Sequence, residues 1–400
     1  MLERKEYLKQ LINVKDKNVI KIISGVRRCG KSTLFEIYQN YLLKNGIGKS
    51  QIQNINFEEL DNENLLNYKE LYEHVKKNLV SGKMNYVFLD EIQQVKDFQK
   101  TVDSLHIKKN VDVYITGSNS RLLSGELATL ISGRYIEIKM LPLSFKEYIS
   151  SFGDRSELSN KFKNYLTAGS FPYALEIKDK KVHRDYLNGI YNSVIVKDIA
   201  QRQKISDISM LDSLTKFMAD NIGNICSIKK ISDALTSIGR KISTHTVEAY
   251  LTALENSYIL YKVQRYDIKG KSYFKTNDKY YFVDMGLRYA ILGSQKADMG
   301  RMLENIVYLE FLRRGCEVSI GKFGEREVDF VVMNNGNTQY YQVAQTTRDE
   351  KTLNRELSAL NDISDHNSKY LLTLDEDPVV TYNGIKKINA LDWLLETQER

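Results

Sequence analysis

Two kinds of apolar pattern run along the chain. Unbroken apolar runs that end on small or polar residues mark strands covered on both faces of a parallel sheet, while apolar positions three and four apart mark amphipathic helices. Over the first 150 residues the two take turns. Leu2, Tyr7, Leu8, Leu11 and Ile12 share about one face and predict a helix within residues 1–17; Val19–Ile23 is a run apolar but for Lys21; Leu34, Phe35, Ile37, Tyr38, Tyr41 and Leu42 return to helical spacing over residues 33–43. Ile52–Phe57 reads as a second strand, Leu65–Leu79 as a covering helix, Tyr86–Leu89 and Val111–Ile115 as buried strands, and Leu130–Ile138 as a further strand. Strand and helix in alternation predict an α/β domain built on a parallel sheet.

What interrupts these elements carries the chemistry. Between the first strand and its helix stands Gly25-Val26-Arg27-Arg28-Cys29-Gly30-Lys31-Ser32, followed by Thr33. This is a glycine, four free positions, then Gly-Lys-Ser, placed after a strand and before a helix as a phosphate-binding loop must be. Glycines let successive backbone N–H groups curl around a phosphate, Lys31 adds a point charge, and the Ser32 hydroxyl suits Mg²⁺. The run Tyr86-Val87-Phe88-Leu89 ends on Asp90 and Glu91. The carboxyl ends of parallel strands are where such sheets bind ligands, so Asp90 reads as the Mg²⁺ carboxylate of a Walker B strand and Glu91 as the residue that orients or deprotonates the attacking water.

The strand Val111–Ile115 runs into Thr116-Gly117-Ser118-Asn119-Ser120. Thr116 or Ser118, with Asn119 as a third choice, stands where a γ-phosphate sensor belongs; the same residue types equally cap a helix starting near Ser120. Gly133-Arg134 opens the next strand. Arg134, at the phosphate-facing end of the sheet or at a subunit edge, is a candidate arginine finger, against the plainer reading of a surface arginine.

Together, the loop, Leu89-Asp90-Glu91, Ile115-Thr116-Gly117-Ser118, and Ser132-Gly133-Arg134 through Leu141-Pro142-Leu143-Ser144-Phe145-Lys146-Glu147-Tyr148 resemble a large prokaryotic family. Its members join an AAA-type ATPase domain to a C-terminal region of unknown function, and the resemblance runs over nearly the whole chain. It implies ATP and Mg²⁺ as cofactors, and it extends to Ala168-Gly169-Ser170-Phe171-Pro172, which looks like the Gly-x-x-Pro turn that related signalling ATPases set against adenine. On that likeness Gly169 and Pro172 help close the nucleotide pocket; a plain helix break is the alternative.

Beyond the first domain the pattern changes. Residues 158–220 read as helices forming a lid. Between residues 222 and 297, helices at Ile228–Thr236 and Thr244–Asn256 followed by strands at Tyr258–Val263 and Lys279–Val283 predict a winged helix-turn-helix. Its basic hairpin holds Lys262, Arg265, Lys269, Lys271 and Lys275 among Tyr266, Tyr273 and Phe274, a set suited to phosphate-backbone contact. The second helix carries His245, Glu248 and Glu255 with no Lys or Arg, a poor set for reading bases. The expectation is therefore weak, sequence-indifferent DNA binding, or a protein partner.

Residues 298–400 read as a helix bearing Glu304, three strands bearing Asp329 and Gln342, and a helix from Thr352, the order of a restriction-endonuclease-like core. Active enzymes of that fold place an acid and a lysine, with one residue between them, on the third strand. Here the two positions are Gln342 and Ala344. An amide is a weak ligand for a hard divalent ion and alanine brings no charge, so the site is expected to be inactive. Migration of the missing groups to Glu325, Glu327, Gln345 or Arg348 is the other reading.

The predicted organisation is thus an AAA-type domain (1–150), a helical lid (151–221), a winged helix (222–297) and a nuclease-like domain (298–400). Composition adds little but excludes much. At 400 residues the chain is long enough for several cores, and 42% hydrophobic content with three prolines speaks against disorder. No apolar stretch is long enough for a membrane helix and residues 1–6 have no signal-peptide core, so a cytoplasmic location is expected. Cys29, Cys226 and Cys316 are far apart and the five histidines form no zinc spacing. A net charge of +7 permits nucleic acid without demanding it. An ATPase driving motion of the C-terminal region, a slow nucleotide-gated switch and an ATP-regulated nuclease are the three functions in play, with a homo-oligomer expected; Gln342 and Ala344 argue against the third.

Overall fold

The computed structural model describes residues 2–120, 133–201, 205–274, 277–293 and 298–396. Contacts divide it into two units, one of residues up to Pro142 together with Asn256–Tyr258, the other of Leu143–Glu255 and residues from Ile259 onward. No helix among the described residues is long and apolar enough to cross a membrane.

The first unit alternates as its pattern requires: α1 (Lys5–Asn13), β1 (Ile20–Ser24), α2 (Lys31–Lys44), β2 (Ile52–Asn56), α3 (Tyr68–Lys77), β3 (Asn85–Asp90), α4 (Phe98–His106), β4 (Val111–Gly117) and β5 (Tyr135–Lys139). The strands form one parallel sheet in the order β2-β3-β4-β1-β5. Every residue of β1, β3 and β4 is buried, because helices cover both faces. Alternate residues face alternate layers. On one side Val87, Leu89, Val113 and Ile115 pack with Leu71 and Val75 of α3 and Val102 and Leu105 of α4. On the other, Phe88 stacks on Tyr114 at 4.8 Å between ring centroids and meets Phe35 of α2 edge-on at 5.0 Å. Register then fixes the functional edge: Ser24 stands opposite Gly117 and Leu89 opposite Ile115, so β1, β3 and β4 end side by side.

The second unit begins with helices Phe145–Ser150, Leu158–Ala168, Lys180–Ser193 and Ile208–Asp220. Next come β6 (Ile225–Cys226), helices Ile228–Ser237 and Thr244–Asn256, β7 (Leu260–Val263), β8 (Arg265–Asp267), β9 (Ser272–Tyr273) and β10 (Asp278–Phe282). Three of these strands form an antiparallel sheet in the order β6-β10-β7. Helices Met285–Leu292 and Met299–Arg313 lead into β11 (Glu317–Phe323), β12 (Arg326–Asn334), β13 (Asn337–Ala344), helix Glu350–Asn361, β14 (Ser368–Thr373), β15 (Val380–Tyr382), β16 (Ile385–Asn389) and helix Ala390–Leu395. The larger sheet has eight strands in the order β15-β16-β14-β13-β12-β11-β8-β9.

That order corrects one expectation. The basic hairpin does not extend the small sheet as a free wing: β8 pairs in parallel with β11, and β9 pairs with β8 at the edge of the large sheet. Lys262 forms an ion pair with Asp278 at 3.0 Å, and the Arg265 guanidinium lies over the Phe274 ring at 5.0 Å. Lys269 and Lys271 are exposed. Lys275 lies outside the described residues.

Candidate functional site

The loop after β1 is shaped by backbone that only certain residues tolerate. Gly25 has φ +153°, and a Cβ there would stand 2.1 Å from the Met140 carbonyl oxygen, so no side chain fits. Arg28 (φ 68°) and Gly30 (φ 102°) both take the left-handed region, turning the chain twice before α2 begins. Gly30 caps α2 without a side-chain hydrogen bond, leaving the first amides of the helix to point toward an anion together with its dipole. Val26 and Cys29 are buried beneath the loop, Arg28 and Ser32 are exposed, and Arg27 and Thr33 are half-buried, with Arg27 paired to Glu58.

Lys31 is buried, and its Nζ donates to the carbonyls of Gly25 at 3.2 Å and Val26 at 3.4 Å while standing 3.4 Å from Glu91 Oε1. Burial opposes the ammonium, yet the charges of Glu91 and Asp90 outweigh it and hold the Lys31 pKa above the ordinary lysine value. Glu91 shows the reciprocal balance: burial works against its charge, but Lys31 and the Gln93 amide keep its carboxyl below the usual range. Asp90 differs. Burial pushes its pKa up, opposed by hydrogen bonds from Ser32 and Thr116.

Thr116, at the end of β4, links the two acids. Its hydroxyl donates to Asp90 Oδ1 and accepts from the Glu91 backbone N–H at 2.9 Å. Ser118 Oγ donates to Glu91 Oε2 at 3.2 Å, and Gln93 donates to the same oxygen. Glu91 itself has φ 55°, a left-handed turn that swings its carboxylate back over the loop. The loop, Lys31, Asp90, Glu91, Thr116 and Ser118 therefore come together at one edge of the sheet.

Arg134 does not join them. It precedes β5, and its carbonyl accepts from the N–H of Ile20, the first residue of β1, at 2.8 Å. In a parallel sheet that is the amino-terminal edge, about 13 Å along the strand from the phosphate loop. The phosphate-facing position is thereby corrected; Arg134 instead pairs with Asp103 at 3.1 Å and is half exposed. It lines a cavity of about 620 Å³ with Asp16, Lys17, His106, Lys108 and Asp112.

A model described as "AAA domain" matches residues 17–149, and one described as "Domain of unknown function" matches residues 159–298. An uncharacterized protein of Haemophilus influenzae is 41% identical over 400 residues, covering 99% of each chain. The chain belongs to this prokaryotic AAA-type ATPase family. Another member, an uncharacterized protein of Methanocaldococcus jannaschii, is 30% identical over 397 residues, which cover 94% of this chain and 85% of that one. A Walker-type ATPase of Pyrococcus abyssi has a similar fold, with 14% identity, a TM-score of 0.52, and coverage of 73% of this chain and 96% of that one.

In this AAA-type chain three contributors carry no sequence motif. Arg4, buried ahead of α1, donates through Nη1 to the Cys29 carbonyl in the loop at 2.9 Å and through Nη2 to Leu141 O at 2.6 Å, with its guanidinium over the Tyr7 ring at 4.8 Å. Gln93 holds Glu91. Lys279 of β10 reaches the carboxylates of the last domain. None stands in a recognisable spacing.

In the second unit, Gly169 (φ 81°) and Ser170 follow helix Leu158–Ala168, and Ser170 donates through both N and Oγ to Asp284 Oδ2 at 2.6 Å. Gly169 and Gly286 touch so closely that a Cβ on Gly286 would lie 2.3 Å from the Gly169 nitrogen. Pro172 opens the next helical turn. Glu304 and Asp329 both face Lys279, at 2.9 and 3.9 Å, and the Gln342 amide spans Asp329 and Glu356: its Oε1 accepts from Asp329 N at 3.2 Å and its Nε2 donates to Glu356 at 2.8 Å. Of the alternative residues, Glu327 joins the cluster through Lys279, whereas Arg348 lies 3.8 Å from Asp375.

Proposed function

We propose that the first unit binds ATP with Mg²⁺ and hydrolyses it, moving the second unit against DNA or a protein partner. The observation that carries this reading is the buried network in which Thr116 joins Asp90 to Glu91, and Glu91 faces Lys31 across the glycine loop. The amides of Gly25–Thr33 and the Lys31 ammonium suit the phosphates. The donor set of a Ser32 hydroxyl and the Asp90 carboxylate, both hard oxygens, fits Mg²⁺. Bound there, the ion would neutralise phosphate charge. Glu91, kept ionised by Lys31, is the base that takes a proton from the attacking water; Ser118 and Thr116 orient it.

Gly169 and Pro172 are read as the turn that completes the nucleotide site, and Arg134 as a residue acting on a neighbouring copy in a homo-oligomer. Residues 222–297 are read as a helix-turn-helix module and residues 298–400 as a nuclease-like domain without nuclease activity. The helix, β11-β12-β13, helix, β14 order, with β13 and β14 parallel, supports the last reading.

One observation favours the slower, switch-like alternative. Glu91 Oε1 faces Lys31, while Oε2 accepts from Ser118 and Gln93, so the base must be released before it can act. ATPase rate without nucleic acid, with single-stranded DNA and with double-stranded DNA, alongside mass in the presence of ATP, separates the two. Strong stimulation supports the motor; tight nucleotide retention with negligible turnover supports the switch; no nucleotide binding under any condition overturns both.

A further inference from the structure

A nuclease-like core implies a divalent metal between its carboxylates, and the residues of the second unit do not fit one. Glu304 comes from helix Met299–Arg313, and Glu327 and Asp329 stand two apart on β12, on one face of the strand. In their midst lies a side chain of another element. Lys279 of β10 is buried, and its Nζ stands 2.9 Å from Glu304 Oε1, 2.6 Å from Glu327 Oε1 and 3.9 Å from Asp329 Oδ1. Tyr281, two residues along the same strand, donates to Glu304 Oε1 at 2.6 Å. Asp329 Oδ2 is engaged by the Val343 N–H at 2.8 Å.

An ammonium has three donors and no acceptor, so a nest of carboxylates is its natural surrounding. Metal–oxygen distances for Mg²⁺ or Ca²⁺ are about 2.0–2.6 Å, and an ion that close to these oxygens would lie within a few ångströms of Nζ, where two cations in a dry site repel strongly. The ammonium therefore takes the Glu304 and Glu327 oxygens that a metal ion would need.

We infer that Lys279 fills the cation position of the Glu304, Glu327 and Asp329 set from within the chain, so that the last domain is a metal-free form of its fold with a lysine in place of the divalent ion. Gln342 follows from this: with the cation supplied by β10, the third-strand acid has no ion to hold, and the amide instead joins Asp329 N to Glu356. The inference takes from the nuclease-like reading only the expectation of a metal. Its test reads metal occupancy rather than cleavage, so a chain that never cuts DNA fails that reading without touching this one.

The test is a Mn²⁺ titration of the nucleotide-free full chain by calorimetry, with thermal unfolding at each concentration. Wild type should show no Mn²⁺ binding that Asp329→Asn removes. Lys279→Met, which keeps the bulk of the stem and removes the charge, should melt lower than wild type without metal, recover with Mn²⁺, and bind one more Mn²⁺ ion than wild type does. Asp329→Asn in the Lys279→Met background should abolish that gain. Should Lys279→Met be purified unfolded, Lys279→Gln and refolding with Mn²⁺ take its place, and Mn²⁺-dependent recovery of the native far-UV spectrum is the expected result. Two outcomes overturn the inference: wild type binding Mn²⁺ in a manner lost with Asp329→Asn, or both lysine variants gaining neither affinity nor stability from Mn²⁺.

Discussion

Replacing Thr116 by valine removes one oxygen from the centre of the proposed catalytic edge without changing the shape of the side chain. Thr116 is fully buried, and its hydroxyl is used twice, accepting from the Glu91 N–H at 2.9 Å and donating to Asp90. In Thr116→Val the Glu91 amide loses its partner in a place water does not reach, at a cost of about 1–3 kcal/mol. Asp90 loses a hydrogen bond to its charged form, worth about 1.5–3 kcal/mol, although its bond to Ser32 remains. Allowing for that remaining bond, the loss should be about 3 kcal/mol, enough to move a urea midpoint visibly. Activity should fall further than stability alone explains, because Glu91 depends on this amide bond for its left-handed turn; a drop in kcat of about 100-fold corresponds to about 2.7 kcal/mol of lost transition-state stabilisation. Far-UV circular dichroism in urea and a phosphate-release assay measure the two quantities, with Thr116→Ser as the control that retains the hydroxyl. A valine variant with the wild-type urea midpoint and rate would refute the claim that Thr116 joins the two acids.

Two other perturbations test separate parts of the account. Gly25→Ala places a methyl 2.1 Å from the Met140 carbonyl at φ +153°, so the loop must move; nucleotide affinity measured by fluorescence titration should fall at least 100-fold, and an alanine variant that binds normally would show the loop is not built as described. Glu255, at the end of helix Thr244–Asn256, has its pKa pushed up to about 7 from 4.5, mainly by burial, with Asp278 adding to the shift and Lys262 opposing it. A carboxyl raised on folding favours the folded chain while it is protonated, so its contribution is present below about pH 4.5 and is lost as pH rises through 7; Glu255→Gln should flatten the stability-versus-pH profile over that window, and an unchanged profile would remove Glu255 as its cause.

Much of the first unit was legible because its signals are local. A phosphate loop is a contiguous spacing, and β3 and β4 are largely apolar stretches that read as buried strands, so Lys31, Asp90, Glu91 and Thr116 meet where a parallel sheet aligns its carboxyl edges. Arg134 shows the limit. The Gly-Arg pair marks the entrance of β5, and the entrance of a parallel strand lies opposite the phosphate edge, a consequence of strand direction that the residue type alone does not convey. The short strands β8, β9, β15 and β16 escaped detection because two to five residues carry little periodicity, so the basic segment between β7 and β10 read as a hairpin rather than as strands of the large sheet. Lys279 could not be found by spacing at all. It lies 25 residues before Glu304 on a strand of the smaller sheet, and only the fold brings its ammonium among the carboxylates.

The central claim is that Gly25–Ser32, Asp90 and Glu91 form an ATP-hydrolysing site, and the split between binding and turnover tests it most directly. Calorimetric ATP binding and phosphate release should be measured in parallel for wild type, Lys31→Ala and Glu91→Gln with Mg²⁺. The account predicts that Lys31→Ala loses affinity at least tenfold, while Glu91→Gln binds as wild type does and releases phosphate at least 100-fold more slowly. Equal loss of binding in both variants, or turnover that persists in Glu91→Gln, would contradict it.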